Sequence, residues 1–102
     1  LPLMMNELAV FPELILTGDF NSPRGYEIFD TIAKRYTDNV PKEYATTTDV
    51  HMHRMGKERP DDFKDKLVDG LFTTPEYSVS AFELVPGVSD HMAHVATVCR
   101  ET

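Results

Sequence analysis

The stretch "ELILTGDFNSP" (residues 13–23) constrains the fold more than any other part of the chain. Leu14, Ile15 and Leu16 are consecutive apolar residues, the pattern of a short strand over 13–17 covered on both faces. Ser22 and Pro23 follow at once and predict a helix start: the serine hydroxyl accepts from free backbone N–H groups, and proline suits the first helical position. "GDFN" therefore falls where a strand ends and a helix begins, a common place for ligand chemistry in α/β proteins.

In the helix, Tyr26, Phe29, Ala33 and Tyr36 share one face, with Ile28 and Ile32 beside it, a stripe read as core packing. Asp38, Asn39 and Pro41 stop it near residue 37. Ahead of the strand, Leu3, Met4, Leu8 and Phe11 have helix-like spacing up to Pro12, as in the tail of a helix. Residues 38–66 are polar and irregular, charge-rich over 57–66, with Asp61, Asp62 and Phe63 opening a short helical turn. Three strand-like runs follow: "LVDGLFTT" (67–74), "YSVSAFELV" (77–85) and "HMAHVATVC" (91–99). The links "PE" and "PGVSD" are short enough for antiparallel neighbours.

A chain of 102 residues holds one domain and is too short for two ordinary ones. Its 41% hydrophobic content is that of a globular protein. No apolar run approaches bilayer-spanning length. "LPLMM" has no basic residues before it and no cleavage site after it, so a signal peptide is not expected. The lone Cys99 excludes an internal disulfide, leans toward a reducing compartment such as the cytoplasm, and is expected to pack as a small apolar residue. The net charge of −7, with no basic stripe, counts against a passive nucleic-acid binder. It does not count against an enzyme whose clustered carboxylates hold a divalent cation.

Polar residues with chemistry to offer fall at strand ends: Asp19 and Asn21 after the first strand, Asp69 in the 67–74 run, and Asp90 with His91 entering the last. Hydrolysis of a phosphate ester needs charge neutralisation, an activated water and a donor near the scissile phosphate. Carboxylates supply oxygen ligands for Mg²⁺ or Mn²⁺, a carboxylate can orient water, and a histidine can donate to developing negative charge. The residue types are suitable, but composition does not establish that they converge.

"ILTGDFNSP", "LVDGLFTT" and "GVSDHMAHVATV", in this order, resemble the endonuclease/exonuclease/phosphatase superfamily with its deoxyribonuclease-I-like fold. GDFN alone is a weak signal; GDFN and SDH bracketing a D-x-L-F strand are more specific. The resemblance implies an α/β fold, the C-terminal half of a two-sheet sandwich with mostly antiparallel last strands. It implies that Asp19 orients or deprotonates the attacking water, that Asn21 orients the phosphate, and that His91 donates to a phosphate oxygen. Asp69 matches a supporting carboxylate. Asp90, with Asp19 and Asn21, is implied in binding Mg²⁺ or Mn²⁺, and Asp90 is alternatively an orienting partner for the histidine. The implied substrate is a phosphate ester, either nucleic acid or a phosphorylated small molecule.

The chain departs from the family in two ways. Gly70 stands where an aromatic residue is usual. Members are more than twice this long, and the metal-binding glutamate of their first half has no counterpart ahead of "GDFN". A lone half would leave an apolar sheet face wet, at about 25 cal/mol per Å². Association with a missing N-terminal half, or as a homodimer, is therefore expected.

Plainer readings stand beside these. Taken alone, residues 19–22 read most simply as a turn and helix cap. Asp90 and His91 could cap a turn and line a strand edge, and Asp69 could be a structural hydrogen-bonding group. His51 and His53 share a face if extended, but no cysteine or nearby carboxylate completes a zinc set. His94 is expected to be structural, on the opposite pleat phase from His91. The run 57–66 is a solvated loop whose Lys57, Arg59 and Lys64 could meet phosphates. Two functions compete: a metal-dependent phosphoester hydrolase in partial or split form, and a non-catalytic remnant that binds a partner through its exposed sheet.

Overall fold

Phe29, Ile32 and Phe72 are fully buried, and the elements are arranged around them. The computed structural model of the chain describes residues 2–20, 22–49 and 66–101. Asn21, His51, His53 and the predicted turn at 61–63 lie outside the described residues. In chain order the elements are helix α1 (Pro2–Leu8), strand β1 (Ile15–Asp19), helix α2 (Glu27–Arg35), and strands β2 (Thr37–Asp38), β3 (Asp69–Thr73), β4 (Tyr77–Val85) and β5 (Ala93–Arg100). One sheet has the order β1-β3-β2 and the other pairs β4 with β5, all antiparallel. The fold is mixed α/β with two sheets.

β3 is the strand buried on both faces: Gly70, Leu71, Phe72 and Thr73 are all buried. β1 was expected to be covered in the same way, but it lies at the sheet edge with Ile15 47% exposed. Among the described residues no strand pairs with its outer side. β1 also starts later than expected and carries Gly18 and Asp19 within the strand rather than after it.

α2 begins at Glu27, several residues beyond the Ser-Pro signal, because the chain first turns through Gly25 at φ 94°. Ser22 still caps the helix from a distance, its Oγ accepting the Phe29 N–H at 3.4 Å. Asp30 reaches back to accept the Gly25 N–H at 2.9 Å. Phe29, Ile32 and Tyr36 enter the core, but Tyr26 does not belong to the stripe. It is the N-cap residue and is 66% exposed. In α1 the packed residues are Met4, Met5 and Leu8, whereas Leu3, and Phe11 beyond the helix end, remain exposed.

Gly70 accounts for its own departure from an aromatic residue. A Cβ there would lie 2.6 Å from Phe72 Cε2 and 3.1 Å from Phe20 Cε2. The rings of Phe20, Phe29 and Phe72 pack edge-on or tilted, with centroids 5.2 to 6.4 Å apart. The side chain that Gly70 lacks is replaced by its neighbours' rings.

The "PE" link does not join paired strands. The Tyr77 N–H donates to Thr74 O at 3.2 Å, and this turn carries the chain from one sheet to the other. "PGVSD" does join neighbours, β4 and β5. In β4 the register shifts between Ser80 and Glu83, with Ala81 at φ 51°. This bulge moves the inward phase from Tyr77 and Val79 to Phe82 and Leu84. Cys99 is exposed rather than packed, because it pairs with Ser78 on the outward face. Arg100 forks onto Glu13, with Nε 3.0 Å from Oε2, and ties the end of β5 to the start of the first sheet.

Candidate functional site

Register places two carboxylates side by side. Asp19, the last residue of β1, pairs directly with Asp69, the first residue of β3. Like charges directly opposite across a strand pair repel one another. His91 lies between them, ahead of β5. Its Nδ1–H donates to Asp69 Oδ2 at 2.6 Å, and its Nε2 is 3.7 Å from Asp19 Oδ2. The ring is therefore oriented by Asp69 and presents Nε2 toward Asp19.

The SDH sequence has a local physical basis. Ser89 Oγ accepts the His91 N–H at 3.2 Å and donates to the His91 carbonyl at 3.0 Å. Such serine turns fix the backbone two residues on. Sequence reasoning did not single out Ser89, although its spacing from His91 was the signal. Asp90 is exposed, its carbonyl accepts the Asp49 N–H at 2.9 Å, and it is not in the close Asp19–Asp69–His91 group. Asn21 lies outside the described residues.

Burial pulls the His91 imidazole down, but the hydrogen bond and charge of Asp69, with the charges of Asp19 and Asp90, outweigh it and hold His91 above the ordinary histidine range. A raised imidazole is a proton donor near neutral pH. His94 behaves in the opposite way. Burial lowers it, with Asp69 opposing, and its Nε2 is buried without a hydrogen-bond partner among the described residues. Its ring packs edge-on against Phe82 at 5.3 Å, as a structural histidine would. It nevertheless lines the same pocket as the carboxylates, because His91 precedes β5 and the strict alternation from 91 to 94 does not apply.

That pocket has a volume of about 290 Å³ and lies between the sheets, lined by Thr17, Asp19 and Asp69 on one side and Met92 and His94 on the other. One ligand atom from each of Asp19, Asp69 and His91 lies within 4.8 Å of the others. The two carboxylates are oxygen donors of the kind a divalent cation such as Mg²⁺ takes.

Two supports of the site also went unrecognised in the sequence. Thr47 and Asp49 lie in the stretch read as irregular, yet both are buried and bonded to the segments that carry Asp69 and His91. Buried polar residues in a loop leave no periodic signal. Compared with known proteins, the chain matches no family model, no curated protein and no solved structure.

Proposed function

We propose that the chain carries part of the site of a divalent-metal-dependent phosphoester hydrolase of the endonuclease/exonuclease/phosphatase type. The observation that supports it best is the meeting of Asp19, Asp69 and His91, which come from three separate stretches of sequence. Asp19 orients or deprotonates the attacking water. His91, held by Asp69 through Nδ1–H, donates from Nε2 to a phosphate oxygen. Asp19 and Asp69 would offer oxygens to a Mg²⁺ or Mn²⁺ ion, with His91 Nε2–H kept as the donor to the phosphate, and Asp90 and Asn21 belong to the ligand set that the resemblance implies. The ion, when bound, supplies charge neutralisation and polarises the phosphoryl oxygen.

The test combines metal binding with hydrolysis. Titration calorimetry with Mn²⁺ should show binding that Asp19→Asn sharply weakens. Turnover of bis-p-nitrophenyl phosphate should vanish with EDTA and in the same variant. Mn²⁺ affinity and turnover both indifferent to Asp19 would end this reading.

One observation favours a second reading, a partner-binding remnant. The outer side of β1 has no strand partner among the described residues, and Ile15, Val95 and Val98 are exposed. A homodimer, or a complex with a separate first half, would cover them. Sedimentation that shows only monomer at high concentration would count against self-association.

A further inference from the structure

We infer that Thr47 is a positioning residue for the Asp69–His91 pair, with the buried segment at 47–49 setting the gap between the two sheets at the site. Asp69 opens β3 and His91 precedes β5, and these strands belong to different sheets. Strand pairing within either sheet leaves their separation undetermined. Thr47 is bonded to both sides. Its Oγ1 accepts the Val68 and Asp69 N–H groups, each at 3.1 Å. Its carbonyl accepts the Met92 N–H at 2.7 Å, and its own N–H donates to Lys66 O at 3.2 Å.

The neighbouring residues extend the link. Thr48 forms an isolated antiparallel bridge with His91. The Asp49 N–H donates to Asp90 O at 2.9 Å, and Asp49 Oδ2 accepts the Gly87 N–H at 2.7 Å. Thr47 is fully buried, and Thr48 and Asp49 are nearly so. A buried hydroxyl that satisfies two N–H groups has no water to replace it, and a β-branched side chain holds it in one rotamer. Thr47 therefore sets the backbone of Asp69 and the backbone beside His91 from a single rigid point. Reacting groups lose rate steeply when displaced by about 1 Å. The consequence for hydrolysis rests on the function proposed above; the geometric claim does not.

The test is the ¹⁵N signature of the His91 ring in the 102-residue chain at mildly alkaline pH, where a neutral ring held by Asp69 shows the Nδ1–H tautomer. Thr47→Val keeps the shape and removes the acceptor. The expected result is loss of the Nδ1–H signature toward the mixture of a free imidazole, with the signature restored in Thr47→Ser. A purely structural threonine would lower the melting temperature and leave the tautomer unchanged, which would overturn the inference. If Thr47→Val does not fold, native-state hydrogen exchange in the unmodified chain decides. The Val68, Asp69 and Met92 amides should open in one step, and separate opening of Met92 would overturn the link. A tautomer shift in a chain without hydrolytic activity would remove the hydrolase reading and leave the positioning role intact.

Discussion

Asp69 Oδ2 lies 2.6 Å from His91 Nδ1, and this contact joins the first residue of β3 to the segment leading into β5. The carboxylate fixes which nitrogen carries the proton and leaves Nε2 facing Asp19. Asp69→Asn removes the charge and offers an amide in its place. Under the proposed function, hydrolysis should fall on the order of 10²–10⁴-fold, the range of a general acid–base contribution, while the fold persists. Turnover at saturating substrate, with circular dichroism as the fold control, checks this; wild-type turnover would remove Asp69 from the site.

The two histidines should titrate in opposite directions. His91 is raised by its carboxylate neighbours against the pull of burial, and burial lowers His94. For His91 the folded value lies above the unfolded one. Its stabilising contribution is therefore complete below the unfolded value of about 6.5 and is lost as pH rises through the folded value. For His94 the contribution is present above about 6.5 and is lost as pH falls through its folded value. Imidazole C–H shifts should show His91 titrating above His94. His91→Gln should destabilise the chain more at mildly acidic than at mildly alkaline pH, by about 1 kcal/mol or less for this partly solvated pair. A larger effect on the alkaline side would contradict the arrangement.

Gly70→Ala should lower stability by about 1–3 kcal/mol, the cost of overpacking a filled core. The added Cβ meets Phe72 at 2.6 Å and Phe20 at 3.1 Å, and Phe72 is fully buried, so its ring must shift to admit it. Urea unfolding measures this, and a midpoint unchanged from wild type would mean that the rings do not lie over Gly70.

Ala81→Val reverses the expectation from strand propensity. Valine suits an ordinary strand, but Ala81 sits at φ 51° in the β4 bulge, where a β-branched side chain is a steric outlier. The cost should be about 1–3 kcal/mol. Thermal unfolding checks it; a more stable variant would place residue 81 in regular extended backbone.

Local patterns were readable wherever periodicity or turn chemistry acts over a few residues. The runs at 67–74, 77–85 and 91–99 became β3, β4 and β5, and Ser22 Oγ does accept an α2 N–H, although Tyr26 rather than Ser22 is the N-cap residue. The order of Asp19, Asp69 and His91 marked the candidate site, but only through a resemblance. That they meet was decided in three dimensions, because the Asp19–Asp69 register and the Asp69–His91 contact depend on which strands pair and how the sheets stack. The exposed edge of β1, the outward face of Cys99 and the bonds of Thr47 were likewise settled by tertiary structure. Burial and long-range hydrogen bonds depend on neighbours distant along the chain, and no local pattern encodes them.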